Sequence, residues 1–326
     1  MMPPYRIVFR KTGGPEVLET EEVALPAPAA GELLVRHEAV GLNFIDTYHR
    51  SGLYSVPLPS GLGNEAAGVV EAVGPGVDGF SVGDRVGTFS GPLGAYSSHR
   101  VVAADRAVKL PEEVSSEEPA AMMLKGCTAE FLIERCAQVQ PGDTVLVHAA
   151  AGGVGSILVP WLKAVGAVVI AHAGSVAKAE LARALGADHA ISCPMEDLAE
   201  AVRELTDGEG VRVVFDGVGA ASWNASLRAV AKRGLVITYG NASGPVPPFS
   251  ALDLLKAGSV FVTRPTLYDY IPKPEDMRAS AARLFEMIGK GVVKVKIGAR
   301  FPLRMAAEAH RALESRATTG STILIP

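Results

Sequence analysis

The chain has 326 residues, 48% hydrophobic and 20% charged, with a net charge of −4. That length suffices for two full domains of ordinary globular composition, and the slight acidity excludes a nonspecific nucleic-acid surface, which needs a basic face. Three isolated cysteines, Cys127, Cys136 and Cys193, without a C-x-x-C spacing, point to free thiols in a reducing, cytoplasmic setting.

The opening "MMPPYRIVFRKTGG" lacks the apolar stretch of a signal peptide, so none is expected. Over the first 110 or so residues, short β-type runs alternate with Gly and Pro: "RIVFR", "ELLVRHEAVGL", "AGVVEAVGPGV", "GDRVGTFS", "AYSSHRVVAA". Closely spaced short strands with turn signals predict a compact, antiparallel, barrel-like domain. Residues 115–136, "SSEEPAAMMLKGCTAEFLIERC", change character: an acidic start with Pro119 in the first turn, then an apolar helical pattern, predicts one long helix.

From Asp143 strands and helices alternate. Strands are predicted at "TVLVHAA", "AVVIAHA", "DHAI", "VRVVFDGV" and "GLVITYG", with helices over 153–165, 176–185, 195–206 and 220–232 between them. Such alternation with short loops implies a doubly wound α/β fold, a parallel sheet with helices on both faces, and continuous Val/Ile runs suit strands buried on both sides. The most apolar stretch, 157–171, is interrupted by Pro160, Lys163 and Gly166, so no membrane span is expected. The tail adds a helix near 274–290, a strand near "VVKVKIGARF", a helix at "MAAEAHRALESR" and a last strand "STILI".

The first strand-to-helix turn reads "VLVHAAAGGVGS". In dinucleotide-binding sheets this turn carries G-x-G-x-x-G, whose middle Gly admits a pyrophosphate and whose last Gly lets helix pack on strand, with helix N–H groups facing the anion. The aligned positions are Ala150, Gly152 and Gly155, so the first Gly is Ala; residues Ala151, Gly152, Gly153 and Val154 form the expected phosphate cradle. An NAD site places an acidic residue at the end of the second strand for the ribose 2′-OH. Here that place reads His172, Ala173, Gly174, Ser175, with Lys178 just beyond and no carboxylate before Glu180. Small residues and a nearby cation suit a 2′-phosphate, which favours NADPH over NADH with Gly174, Ser175 and Lys178 as its contacts.

The segments "GLNFIDTYHRSGLY", "GNEAAGVVEAVGPGV", "VGDRV", "LKGCTA", "VHAAAGGVGS", "GNASG", "VTRPTL" and "ESRATTGSTILIP" occur in order along the whole chain. Together they resemble zeta-crystallin-like quinone oxidoreductases of the medium-chain dehydrogenase/reductase superfamily. The resemblance implies a GroES-like, β-rich catalytic domain over residues 1–124 and 265–326, and a Rossmann domain over 125–264. It implies NADPH in the cleft, and a homodimer through edge strands, for which "SVFVTRP" is the candidate. It puts Asn43, Tyr48 and Thr128 around the nicotinamide and its ribose, with Tyr54 and Asp46 on the substrate side. Tyr239 and Gly240 would close the fifth strand over the ligand, Thr263 and Arg264 would hold the carboxamide by their backbone, and Arg316 would be a second cation for the 2′-phosphate.

Zinc enzymes of that superfamily have Cys and His where this chain has Asn43 and Asn64, and their structural zinc needs four clustered cysteines. Neither set is present, since zinc takes Cys or His around a tetrahedron, so metal-free hydride transfer to a ready acceptor is expected. Three departures stand out: Cys193, where relatives often carry Tyr or His near the adenine-ribose phosphate; Asn64, where Thr or Ala is common; and Pro160, where Gln is common and which removes a backbone donor. The motifs do not separate a quinone acceptor from an enone or alkenal one. A cofactor-binding structural or RNA-binding role is the reading of another class, and the absence of a basic patch opposes it.

Overall fold

The computed structural model describes residues 3–112, 114–315 and 319–326. The chain divides into two compact units: one of Met1–Lys125, Lys273–Ala281 and Val295–Pro326, the other of Gly126–Pro272 and Ala282–Lys294. Both ends of the chain therefore build the first unit.

The first unit is organised by one long strand, Glu32–Leu42. Along one edge it pairs antiparallel with Ala66–Val73. Its eleven residues leave room on the other edge for two partners, His99–Ala103 opposite its start and Ser321–Ile325 opposite its end. Arg85–Thr88 and Val108–Lys109 extend the sheet on one side and Ile297–Pro302, parallel to Ser321–Ile325, on the other. A three-stranded sheet, Glu19–Glu22, Tyr5–Phe9 and Ser60–Gly61, lies within the same unit. Its core joins sequence-distant residues, including Tyr5, Phe9, Leu42, Leu62, Tyr96, Leu303 and Leu324. Burying apolar surface drives this long-range assembly.

The second unit is a six-stranded, all-parallel sheet. Numbered by position along this unit, its strands run in the order 3-2-1-4-5-6: His189–Ile191, Val168–His172, Thr144–Val147, Val211–Asp216, Val230–Thr238, Phe261–Thr263. This is the Rossmann order, whose switch point lies between the first and fourth strands. Val145, Leu146, Val147, Val213, Val214 and Phe215 are wholly buried, as strands covered on both faces must be.

Two elements differ from the sequence reading. The helix expected over 220–232 is confined to Trp223–Ala229, and the strand expected from Gly234 already begins at Val230. Val230 pairs with Val211, both fully buried, and the register shifts before the next pair while Arg233 takes φ +59°. Burial of the valine pair outweighs the helical preference of the "AVAKR" run, and a bulge absorbs the mismatch. The long helix is regular over Glu117–Glu130 and widens over Phe131–Cys136, where Ala137 N–H reaches back five residues to Leu132 O. The helix Gly155–Val165 runs on through Pro160. Among the described residues no helix is long and apolar enough to cross a membrane.

Candidate active site

In the second unit the glycine turn leaves the first strand at the switch point. His148 N–H bonds Phe215 O at 3.0 Å and Ala150 N–H bonds His172 O at 3.1 Å, so the turn is anchored to both neighbouring strands. Ala149 takes the left-handed conformation, φ +49°. Ala150 does not, which explains why the first Gly of the motif is dispensable here.

Gly155 is buried, and a Cβ there would lie 2.4 Å from Ala149 O and 2.7 Å from Ala150 Cα; it is the contact of helix on strand. Gly152 is exposed, donates its N–H to Ala149 O at 2.8 Å and accepts from Ser156 N–H at 2.8 Å. The helix Gly155–Val165 opens beside it with Ala151, Gly153 and Val154 half-buried, and the first N–H groups of a helix have no partner within it. An open, Cβ-free surface beside a helix N-terminus fits a pyrophosphate.

The second strand ends at His172, followed by Ala173, exposed Gly174 and Ser175. A Cβ on Gly174 would meet nothing within 4 Å, so space is open there. Ser175 caps the helix Val176–Ala184 by accepting Lys178 N–H at 3.3 Å, which places the Lys178 side chain on the first turn. Beside the fifth strand, Tyr239 N–H bonds Asp216 O at 2.8 Å, and Gly240 lies so close to Gly217 that a Cβ would sit 2.4 Å from its carbonyl oxygen. Arg264 follows the sixth strand and its guanidinium donates to Thr238 O at 2.8 Å, which ties the ends of strands five and six together next to Thr263. Thr128 is half-buried on the helix Glu117–Glu130. Arg316 lies outside the described residues.

Beneath the turn lies a polar cluster that the sequence reading did not weigh. Asp216, wholly buried, accepts Val218 N–H, Gly219 N–H and the hydroxyls of Ser222 and Ser226 at 2.7–3.1 Å. Because the Ser226 hydroxyl hydrogen is spent on Asp216, its oxygen accepts from His148 Nε2–H at 2.9 Å. Burial pulls the His148 pKa down to about 4, so the ring under the cradle is neutral.

In the first unit, Asn43 caps the start of the helix Phe44–Ser51, Asp46 and Tyr48 lie on it and Tyr54 just after it. Tyr48 and Tyr54 meet edge to face at 5.3 Å, and His49 meets Tyr54 likewise at 5.9 Å. Asp46 turns the other way, into the protein. It accepts Asn43 N–H at 2.9 Å, Tyr96 O–H at 3.0 Å and a longer bond from Asn64 Nδ2 at 3.4 Å. Burial pushes its pKa up to about 7 against those donors.

A chain of donors leads to Asp46. Arg50 has only donors, so His310 Nδ1 accepts from it at 2.8 Å. The neutral His310, whose pKa burial lowers to about 3, then donates Nε2–H to the Tyr96 oxygen at 3.1 Å, and Tyr96 donates to Asp46. Glu314 holds the far side of Arg50 at 2.6 Å.

Glu65 is the second buried carboxylate. Leu124 N–H donates to one oxygen at 2.6 Å, Asn43 Nδ2 to the other at 2.8 Å, and the buried Lys125 ammonium lies 3.9 Å away. Burial raises the Glu65 pKa and lowers that of Lys125, and each charge opposes the other's shift. The visible signal for this pair was a lysine inside the apolar run "AAMMLKGCTA"; periodicity alone gives it no partner.

The Alcohol dehydrogenase GroES-like domain family matches residues 29–112 and the Zinc-binding dehydrogenase family residues 153–286. The chain is 49% identical over 322 residues to a quinone oxidoreductase of Pseudomonas aeruginosa, covering 98% of this chain and 99% of that one. It is 43% identical over 327 residues to a 2-haloacrylate reductase of a Burkholderia species, covering 98% of each. The solved structure of Escherichia coli quinone oxidoreductase complexed with NADPH superposes with a TM-score of 0.96 at 46% identity, over 99% of this chain and all of that one. With full-length identity of this order and both units matched, the chain belongs to the quinone oxidoreductase family of the medium-chain dehydrogenase/reductase superfamily.

Proposed function

We propose that the chain is an NADPH-dependent quinone oxidoreductase that works without zinc. The observation that carries the cofactor assignment is the Cβ-free turn at the switch point, together with the absence of a carboxylate from the end of the second strand. Gly174, Ser175 and Lys178 leave space, a hydroxyl and a cation for a 2′-phosphate. The bound cofactor supplies a hydride, and one proton completes the conversion of quinone to hydroquinone. The protein's work is then to bind and orient. Ala151, Gly152, Gly153 and Val154 hold the pyrophosphate, and Tyr239, Gly240, Thr263 and Arg264 frame the ends of strands five and six. Asn43, Tyr48 and Thr128 serve the nicotinamide end and Tyr48 and Tyr54 the acceptor, while Asp46, expected on the substrate side, is wholly buried on Asn43, Tyr96 and Asn64 and serves by holding the start of their helix. Arg316 remains the candidate second cation.

Zinc independence rests on chemistry of the donor set. Asn43 spends its Nδ2 on Glu65 and Asn64 its Nδ2 on Asp46, and among the described residues no group of three His, Cys, Asp or Glu side chains could hold a metal. The likeness to a 2-haloacrylate reductase favours reduction of an activated alkene as the second reading. Oxidation of NADPH and NADH, each offered with benzoquinone, a naphthoquinone and a simple enone, with and without chelator, decides. Fast, chelator-insensitive turnover of NADPH with quinones is expected. Preference for the enone selects the second reading, and NADH used as well as NADPH refutes the 2′-phosphate site.

The free edge of the parallel sheet, strand Phe261–Thr263, carries a phenylalanine 64% exposed, and the nearby helix Ala251–Lys256 exposes Leu252 and Leu255 by 60% and 62%. An open apolar edge is a template for pairing, which supports a homodimer formed there. Sedimentation equilibrium should return twice the chain mass at micromolar concentration; a monomer at that concentration refutes it. Three free thiols suit the cytoplasm.

A further inference from the structure

The fourth strand of the parallel sheet, Val211–Asp216, ends beside the switch point, and Asp216 holds two things there. Its backbone carbonyl accepts Tyr239 N–H at 2.8 Å, which fixes the Tyr239 backbone at the end of strand five. Its carboxyl accepts Val218 N–H at 2.8 Å and Gly219 N–H at 3.1 Å, which fixes the turn that follows. Further bonds tie that turn to the loop after Tyr239. Ala242 N–H reaches Gly217 O at 3.3 Å, Ser243 N–H reaches Val218 O at 2.8 Å, and Ala220 N–H reaches Gly244 O at 3.0 Å. Gly217 lies among these anchors, and the space its side chain would take is filled by the Tyr239 ring. A Cβ on Gly217 would lie 2.9 Å from Cε2, Cζ and Oη of Tyr239. The φ of Gly217 is not left-handed, so its backbone conformation does not ask for glycine. The requirement comes from the ring.

We infer that Gly217 is a positioning residue: its bare Cα is the ledge that seats the Tyr239 ring at the end of strand five, where the ring serves the nicotinamide half of NADPH. The inference rests on the proposed role of Tyr239 in cofactor binding. A dinucleotide straddles the switch point with one half on each side. Gly174, Ser175 and Lys178, the contacts proposed for the 2′-phosphate, follow the second strand, so the loops after strands four and five take the other half. Tyr239 is half-buried and keeps part of its surface accessible.

Gly217→Ala sets a methyl group against the ring. The turn is pinned by Asp216 and by its three bonds to the neighbouring loop. A half-buried tyrosine side chain turns about its own bonds at little cost, so the ring gives way and the turn does not. The variant should melt as the parent does and bind NADPH about tenfold more weakly, the scale of one misplaced aromatic contact. Binding of 2′,5′-ADP, which lacks the nicotinamide half, should stay unchanged. Tyr239→Ala should weaken NADPH binding to a similar extent. In the double variant the methyl meets no ring, so Gly217→Ala should add nothing to the loss caused by Tyr239→Ala. Calorimetric titration of the parent and the three variants reads the cycle. Losses that add in the double variant, or a parallel loss of 2′,5′-ADP binding, overturn the inference, because the methyl then acts on the fold and not on the ring. If Tyr239→Ala weakens NADPH binding while Gly217→Ala binds as the parent does, the positioning role is wrong and the Tyr239 assignment stands. If Tyr239→Ala itself leaves binding unchanged, the assignment fails and the inference with it.

Discussion

Gly152→Val should fold normally and lose NADPH affinity by about two orders of magnitude, roughly 2.7 kcal/mol. Gly152 is exposed and its φ is not left-handed, so the backbone accepts a side chain there. A Cβ would meet only Ala149 O, at 3.0 Å, with nothing else nearer than 3.9 Å. The branched methyls would instead project over the start of the helix Gly155–Val165, into the volume that a pyrophosphate needs. Its neighbour provides the contrast. A Cβ on the buried Gly155 overlaps Ala149 O and the Ala150 backbone, so Gly155→Ala strikes the packing of helix on strand and not the ligand. Calorimetry with NADPH and a melting scan on Gly152→Val check both halves, and unchanged affinity would place the cradle elsewhere.

Gly41→Ala should destabilise the first unit by about 3 kcal/mol, at the upper end for overpacking by one methyl group. Gly41 is the last residue but one of the long strand and donates its N–H to Glu65 O at 2.9 Å. A Cβ there would lie 2.3 Å from Ala120 O and 2.3 Å from Glu65 Oε2. Neither neighbour can yield. Ala120 O is helix backbone, and the Glu65 carboxylate is fixed between Leu124 N–H and Asn43. Displacing it would also disturb the orientation of Asn43, so NADPH binding should fall alongside stability. Denaturant unfolding of the variant reads the loss. A midpoint equal to the parent's would show that strand and helix can separate at this point without cost.

The parts of the protein that a linear reading reached are those whose physical cause is local. Alternating Val/Ile runs and helical stretches between Thr144 and Thr263 announced a parallel sheet, because a strand covered on both faces must be apolar along its length. The glycine turn was readable from its place between strand and helix, and the missing carboxylate after the second strand from a short count along the chain. Where local preference and tertiary burial disagreed, at Val230, burial of a valine pair decided the boundary.

The sequence by itself determined the fold class, the glycine turn and the missing carboxylate after the second strand, since each depends on a repeat or a spacing within a short stretch of chain. Only the tertiary structure decided what the buried ionisable groups do. Arg50 meets His310 260 positions away, Tyr96 meets Asp46 across 50, and Glu65 meets Leu124 across 59. No period links such residues, and each looks like an ordinary charge or ring until desolvation makes a partner obligatory. The same requirement, that every donor and acceptor drawn out of water be satisfied, directs the His310 proton toward Tyr96 and turns the Asn43 amide nitrogen to Glu65.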